Sequence, residues 1–119
     1  MADQGTGVVQ VVRLTESEAH ELVPGVTMRP LFGQGAMLNL IEFSPGTSVP
    51  LHAHPHEQLG HVLEGEVLMT IGGIDYPLGP GDAYQIPGGV EHGAVCEERC
   101  LVMDIFAPVR EDYRARAGA

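Results

Sequence analysis

Two stretches of this chain carry imidazoles at spacings that suit a single metal ion. The first reads Gly46-x5-His52-x-His54-x3-Gln58-x6-Gly65, the second Gly81-x5-Pro87-x-Gly89-x2-His92-x3-Cys96. His52 and His54 lie two apart, so on an extended strand their side chains leave the same face. Pro55-His56-Glu57 bends the chain, which lets Gln58 look into the same space from the neighbouring strand, and His92 arrives from a distant hairpin. Three neutral imidazoles and an amide oxygen can surround a divalent cation and leave positions open for water or substrate. An open position is what separates a catalytic metal site from a structural one. Zinc, nickel, manganese and iron all accept such donors.

These donors need a scaffold of short strands. Residues 8–13 read as a strand, at a sheet edge. Thr15 followed by Glu18 has capping-box form and predicts a short helical turn through Leu22, ended by Pro24-Gly25. Apolar runs predict strands over residues 26–32, 36–43, 49–54, 58–64, 66–71, 75–78, 83–86, 92–96 and 100–106. Between them stand Pro45-Gly46, Gly72-Gly73, Gly79-Pro80-Gly81-Asp82 and Pro87-Gly88-Gly89, all turn-forming. Beyond Pro108 the chain is polar, with a helical turn through Tyr113. About ten short strands must close on themselves or form a double sheet to manage their edges. The expectation is therefore an all-β fold in one domain over residues 1–119, without repeats or a linker.

Composition narrows the function. Sixteen acidic residues against six arginines, with no lysine, give a formal charge of −10 and a pI near 4.8. That argues against nucleic acid, which needs a basic face, and against anionic membranes. No apolar run approaches the roughly 20 residues that span a bilayer. Residues 1–12 show neither a charged n-region nor a cleavage pattern, so a cytoplasmic location is expected. Without lysine, Schiff-base chemistry and a lysine general base are excluded. Cys96 and Cys100 form no disulfide framework and read as buried, reduced small hydrophobes. Met28, Met37, Met69 and Met103 read as core filler. His56 is read as a rim residue, His61 as facing outward and His20 as a surface residue of the first turn.

The paired motifs resemble those of the cupin superfamily, G-x5-H-x-H-x3,4-E-x6-G and G-x5-P-x-G-x2-H-x3-N. The match falls on Gly46, His52, His54, Gly65, Gly81, Pro87, Gly89 and His92. The resemblance implies a double-stranded β-helix, or jelly-roll barrel, with its core over about residues 26–107, a metal inside, and a homodimer. Two positions depart from the pattern: Gln58 stands for the usual glutamate ligand and Cys96 for the usual asparagine. With Gln58, all four donors, His52, His54, Gln58 and His92, are neutral. A bound cation then keeps its full charge and polarises an oxygen ligand more strongly. This tilts the expected chemistry from redox towards Lewis-acid catalysis.

A narrower resemblance lies in two strings. Residues 52–58 are similar to an H-x-H-P-H-E-Q version of the first motif, and residues 104–113 to a D-x-F-x-P-x-R-E-D-Y ending. Both resemble the cupins that convert unsaturated uronates to linear keto sugars. That resemblance places Asp104, Phe106 and Arg110 in the active site. Asp104 and Phe106, two apart on a strand, share a face. A carboxylate in an apolar barrel beside a cation is pulled up in pKa by burial and down by the ion, which suits a proton shuttle. Arg110 could clamp a substrate carboxylate bidentately, with Arg29 a weaker candidate for that role. The expected function is non-redox tautomerisation or linearisation of a small anionic carbohydrate. The alternatives are a polyketide cyclase or isomerase, an iron or manganese dioxygenase, and a non-catalytic small-molecule-binding cupin.

Overall fold

The computed structural model describes residues 7–118. A 3-10 turn at Leu14–Glu16 precedes ten strands: β1 His20–Val23, β2 Val26–Phe32, β3 Met37–Phe43, β4 Thr47–His52, β5 Glu57–Glu64, β6 Val67–Ile71, β7 Ile74–Leu78, β8 Ala83–Ile86, β9 His92–Cys96 and β10 Cys100–Ala107. A short helix, α1 Glu111–Arg116, follows. The strands form a six-stranded sheet ordered β1-β2-β3-β10-β5-β8 and a four-stranded sheet ordered β4-β9-β6-β7. All pairings are antiparallel. From β3 onward, every connection except the β6–β7 hairpin crosses from one sheet to the other, which makes the fold a jelly roll. At the hairpin, Ile71 pairs with Ile74 across Gly72 and Gly73. Both glycines have positive φ, 58° and 82°, as a two-residue turn that matches the strand twist requires.

Alternation along β5 and β10 explains how the interior divides. The inward positions are Gln58, Gly60 and Val62 on β5, and Cys100, Val102, Asp104 and Phe106 on β10. One end of this face is apolar and joins Val26, Met28, Ile41, Phe43, Val67, Met69 and Cys96 in the main core. Fully burying a side chain such as Val, Met or Phe contributes about 1.5–3 kcal/mol, and this end supplies most of that gain. The other end carries polar side chains on the same inward face. Cys96 and Cys100 are both free and buried, as expected.

Several expectations fail at the N-terminal side. Residues 8–13 form no strand; Val8, Val9 and Val11 are 88%, 87% and 93% exposed, and the segment holds on through Gln10 Nε2 donating to the Phe32 carbonyl at 2.9 Å. Strand propensity without a partner strand does not make a sheet. The helical turn through Leu22 is also absent. The 3-10 turn starts at Leu14 without a side-chain cap from Arg13 and stops at Glu16, where Ser17 Oγ donates to the Leu14 carbonyl at 2.7 Å; His20–Val23 then pairs with β2, so tertiary pairing overrides the capping signal. His20 accordingly sits half-buried on a strand. Met103 faces outward on β10 and is half-buried, whereas Met28, Met37 and Met69 are core residues.

Candidate metal centre

The donors come from both sheets. His52 ends β4 and pairs directly with His92, the first residue of β9, in the four-stranded sheet. Gln58 lies on β5 of the facing six-stranded sheet. This corrects the expectation that Gln58 comes from the strand beside the histidines. His54 also lies beyond β4, in the connection to β5, so it is placed by that turn and not by strand alternation. The three rings converge all the same. Their centroids are 4.4 Å apart for His52 and His92, 4.9 Å for His54 and His92, and 5.7 Å for His52 and His54. One ring nitrogen from each lies within 4.8 Å of the others.

Hydrogen bonding fixes which nitrogen faces inward. Nδ1 of His52 meets the Pro50 carbonyl at 2.9 Å, Nδ1 of His54 the His56 carbonyl at 3.1 Å, and Nδ1 of His92 the Val90 carbonyl at 2.9 Å. A carbonyl only accepts, so each Nδ1 carries the proton and each Nε2 presents a lone pair. Nε2 of His92 is buried with no partner. Nε2 of His54 lies 3.1 Å from Gln58 Oε1. Two acceptors face each other there, a conflict that a cation between them removes. Burial, then the Arg110 charge, lowers the His54 pKa from 6.5 to about 4, and burial lowers that of His92. Both rings are therefore neutral near pH 7, as metal ligands must be. The residues fit a divalent cation.

A cavity of about 270 Å³ opens beside these rings, lined at its polar end by His52, Gln58, Tyr84, His92, Asp104 and Arg110. Its opposite wall is apolar and includes Ile41, Phe43, Val67, Met69 and Val102. Asp104 is buried, and burial pushes its pKa from 3.8 to about 6 against the pull of hydrogen bonds from Tyr84 and Gln58 and of the Arg110 charge. Tyr84 donates its hydroxyl to Asp104 Oδ1 at 2.6 Å. Burial and the Asp104 charge hold that phenol well above its ordinary pKa. Phe106 is buried with its ring edge-on to His54 at 5.5 Å.

Arg110 is only 7% exposed. Its guanidinium stacks 3.7 Å from the Tyr113 ring centre and 5.1 Å from that of Phe106. Its Nε and Nη2 bind Asp112 at 3.2 and 2.7 Å, so that edge of the guanidinium is taken. Nη1 is buried and unpartnered. Arg29 lies outside the cavity lining and donates to the Ser17 carbonyl. His56 is half-buried at the turn, and His61 is exposed. Sequence reasoning missed Tyr84, Asp112 and Tyr113. The last two stand within the string that drew attention to Arg110; nothing local marks Tyr84.

The cupin domain family matches residues 39–106. Among solved structures, an RmlC-like cupin from Shewanella frigidimarina NCIMB 400 superposes with a TM-score of 0.84 at 32% identity, over 89% of this chain and 96% of that one. KdgF from Halomonas sp. superposes with a TM-score of 0.83 at 29% identity, over 89% and 99%. The HTH-type transcriptional regulator PuuR of Escherichia coli (strain K12) is 43% identical over 51 residues, 42% of this chain. The match spans only 28% of that regulator's length. With a jelly roll built as above and a family match over more than half of its residues, the chain belongs to the cupin family.

Proposed function

We propose that this cupin is a metal-dependent, non-redox enzyme that opens and tautomerises a small unsaturated uronate. The observation that carries the reading is three convergent imidazoles, two of them lining one cavity together with a buried carboxyl group whose pKa is raised to about 6 and an arginine with an unpartnered guanidinium nitrogen. The strings shared with the uronate-linearising cupins and the likeness to KdgF point the same way. His52, His54, Gln58 and His92 would hold the cation, which supplies Lewis acidity to a substrate oxygen, undiminished by any anionic ligand.

The remaining roles belong to the chain's own side chains. Arg110 binds the substrate carboxylate end-on through Nη1, since Asp112 holds its other edge. Asp104 moves the proton. The net change is an isomerisation: a proton leaves the anomeric hydroxyl, the ring C–O bond opens, and a proton is delivered to the alkene carbon. No electrons leave the substrate. Phe106 and the apolar wall keep water from the reacting carbons.

The test is loss of the conjugated-acid absorbance of an unsaturated uronate on incubation with zinc-, nickel- or manganese-loaded protein. At saturating metal, Asp104→Asn should lose about 10²- to 10⁴-fold in rate, the usual contribution of a general acid–base group. Unchanged absorbance with every metal, or stoichiometric oxygen uptake, would remove this reading.

A further inference from the structure

We propose that Tyr84 is a positioning residue that fixes, together with Asp104, which end of the Gln58 amide faces the imidazoles. The inference rests on the metal-binding reading above and adds a residue that neither motif contains. Tyr84 stands on β8, at the edge of the six-stranded sheet, and Asp104 on β10, two strands away. The residue between them is Gly60: Tyr84 pairs with Gly60 across β8 and β5, and Gly60 with Asp104 across β5 and β10. The phenol ring lies directly over Gly60, where even a methyl group would collide with ring carbons and the hydroxyl. Only a glycine there lets the hydroxyl reach Asp104 Oδ1 at 2.6 Å.

The consequence falls on Gln58, two residues before Gly60 on the same inward face. Gly60 stands opposite both Asp104 and Tyr84, so Gln58 is the diagonal neighbour of each, and all three line the same cavity. The Gln58 amide oxygen lies 3.1 Å from His54 Nε2; that leaves the amide nitrogen for the Asp104 side, where a carboxylate, which only accepts, favours a donor. An amide ligates a cation through oxygen and not through its delocalised nitrogen. The two ends are nearly the same size, so packing alone does not choose between them. The choice is made by Asp104, and Tyr84 holds Asp104 in place.

Tyr84→Phe removes only the hydroxyl. The experiment measures Co²⁺ affinity of the whole chain by chelator competition, following the visible Co²⁺ absorption, in wild type and in Gln58→Glu. In the wild-type background Tyr84→Phe should weaken binding about 10-fold, the low end of the effect of partners behind the ligands. In the Gln58→Glu background both ends of the side chain are oxygens, and the same change should leave affinity unaltered. An equal loss in both backgrounds would make Tyr84 a packing residue and overturn the inference. No loss in wild type would overturn it while the metal reading stands. Failure of wild type to bind Co²⁺ at all would remove the metal reading and this inference together.

Discussion

On one side of the cavity, each imidazole leans on a backbone carbonyl two residues away, from Pro50, His56 or Val90. On the other side, Asp104 depends on a tyrosine 20 residues distant, and Arg110 on two aromatic rings and an aspartate. A carbonyl is present whatever side chain the residue carries. The three imidazoles are thus insulated from most substitutions outside themselves, while the acid wall, and the Gln58 amide beside it, is held by side chains that substitution can remove. Metal binding and turnover should therefore separate in variants.

The largest expected effect tests the imidazole wall. His92→Ala should weaken cation binding by more than about 100-fold, beyond the range for residues behind the ligands. Chelator competition measures it, with an unchanged circular dichroism spectrum as the control. A small loss would mean that the convergent rings do not act as one site. On the acid wall, Arg110→Met should raise KM for an anionic substrate about 10- to 100-fold, because a hydrogen bond to a charged group contributes about 1.5–3 kcal/mol. Steady-state kinetics checks this, and metal affinity should not fall, since the charge that lowers the His54 pKa also repels a cation. Equal damage to both would erase the distinction between the walls.

The smallest effect is in stability against pH, read by urea unfolding of the metal-free protein. His54 has a folded pKa of about 4 against 6.5, so between those values only the unfolded chain takes up the proton, and stability falls as pH falls. Asp104 has a folded pKa of about 6 against 3.8, so in that window the folded chain keeps a proton the unfolded chain has released, and stability rises as pH falls. The two oppose each other between pH 6 and 4. Asp104→Asn removes the second and should steepen the acid loss by up to about 1.4 kcal/mol per pH unit. No steepening would show that Asp104 does not titrate in this window.

The same division explains what could be read from the sequence. The imidazole side is built from local relations: the H-x-H spacing, a turn, and framing glycines. The grouping of His52, His54 and His92 was visible before any coordinates, and nine of the ten strands followed from apolar runs and turn residues. What the sequence hid is long-range. That Gln58 belongs to the facing sheet depends on where the chain crosses over. The Tyr84–Gly60–Asp104 row joins three strands whose registers no local pattern sets. Thr15 and Glu18 carry a helix-start signal, yet the pairing of His20–Val23 with β2 decides the segment. The valines of residues 8–13 have strand character but no partner within the described fold.

The direct pairing of His52 with His92, and the position of Gln58 across from both, has a mechanical corollary. An ion held by these residues would be gripped from two layers at once, a rivet between the two sheets of the jelly roll. Loading should slow amide hydrogen exchange at the ends of β4, β5 and β9 while leaving the apolar far end unchanged. Chelation would loosen the rim and spare the base.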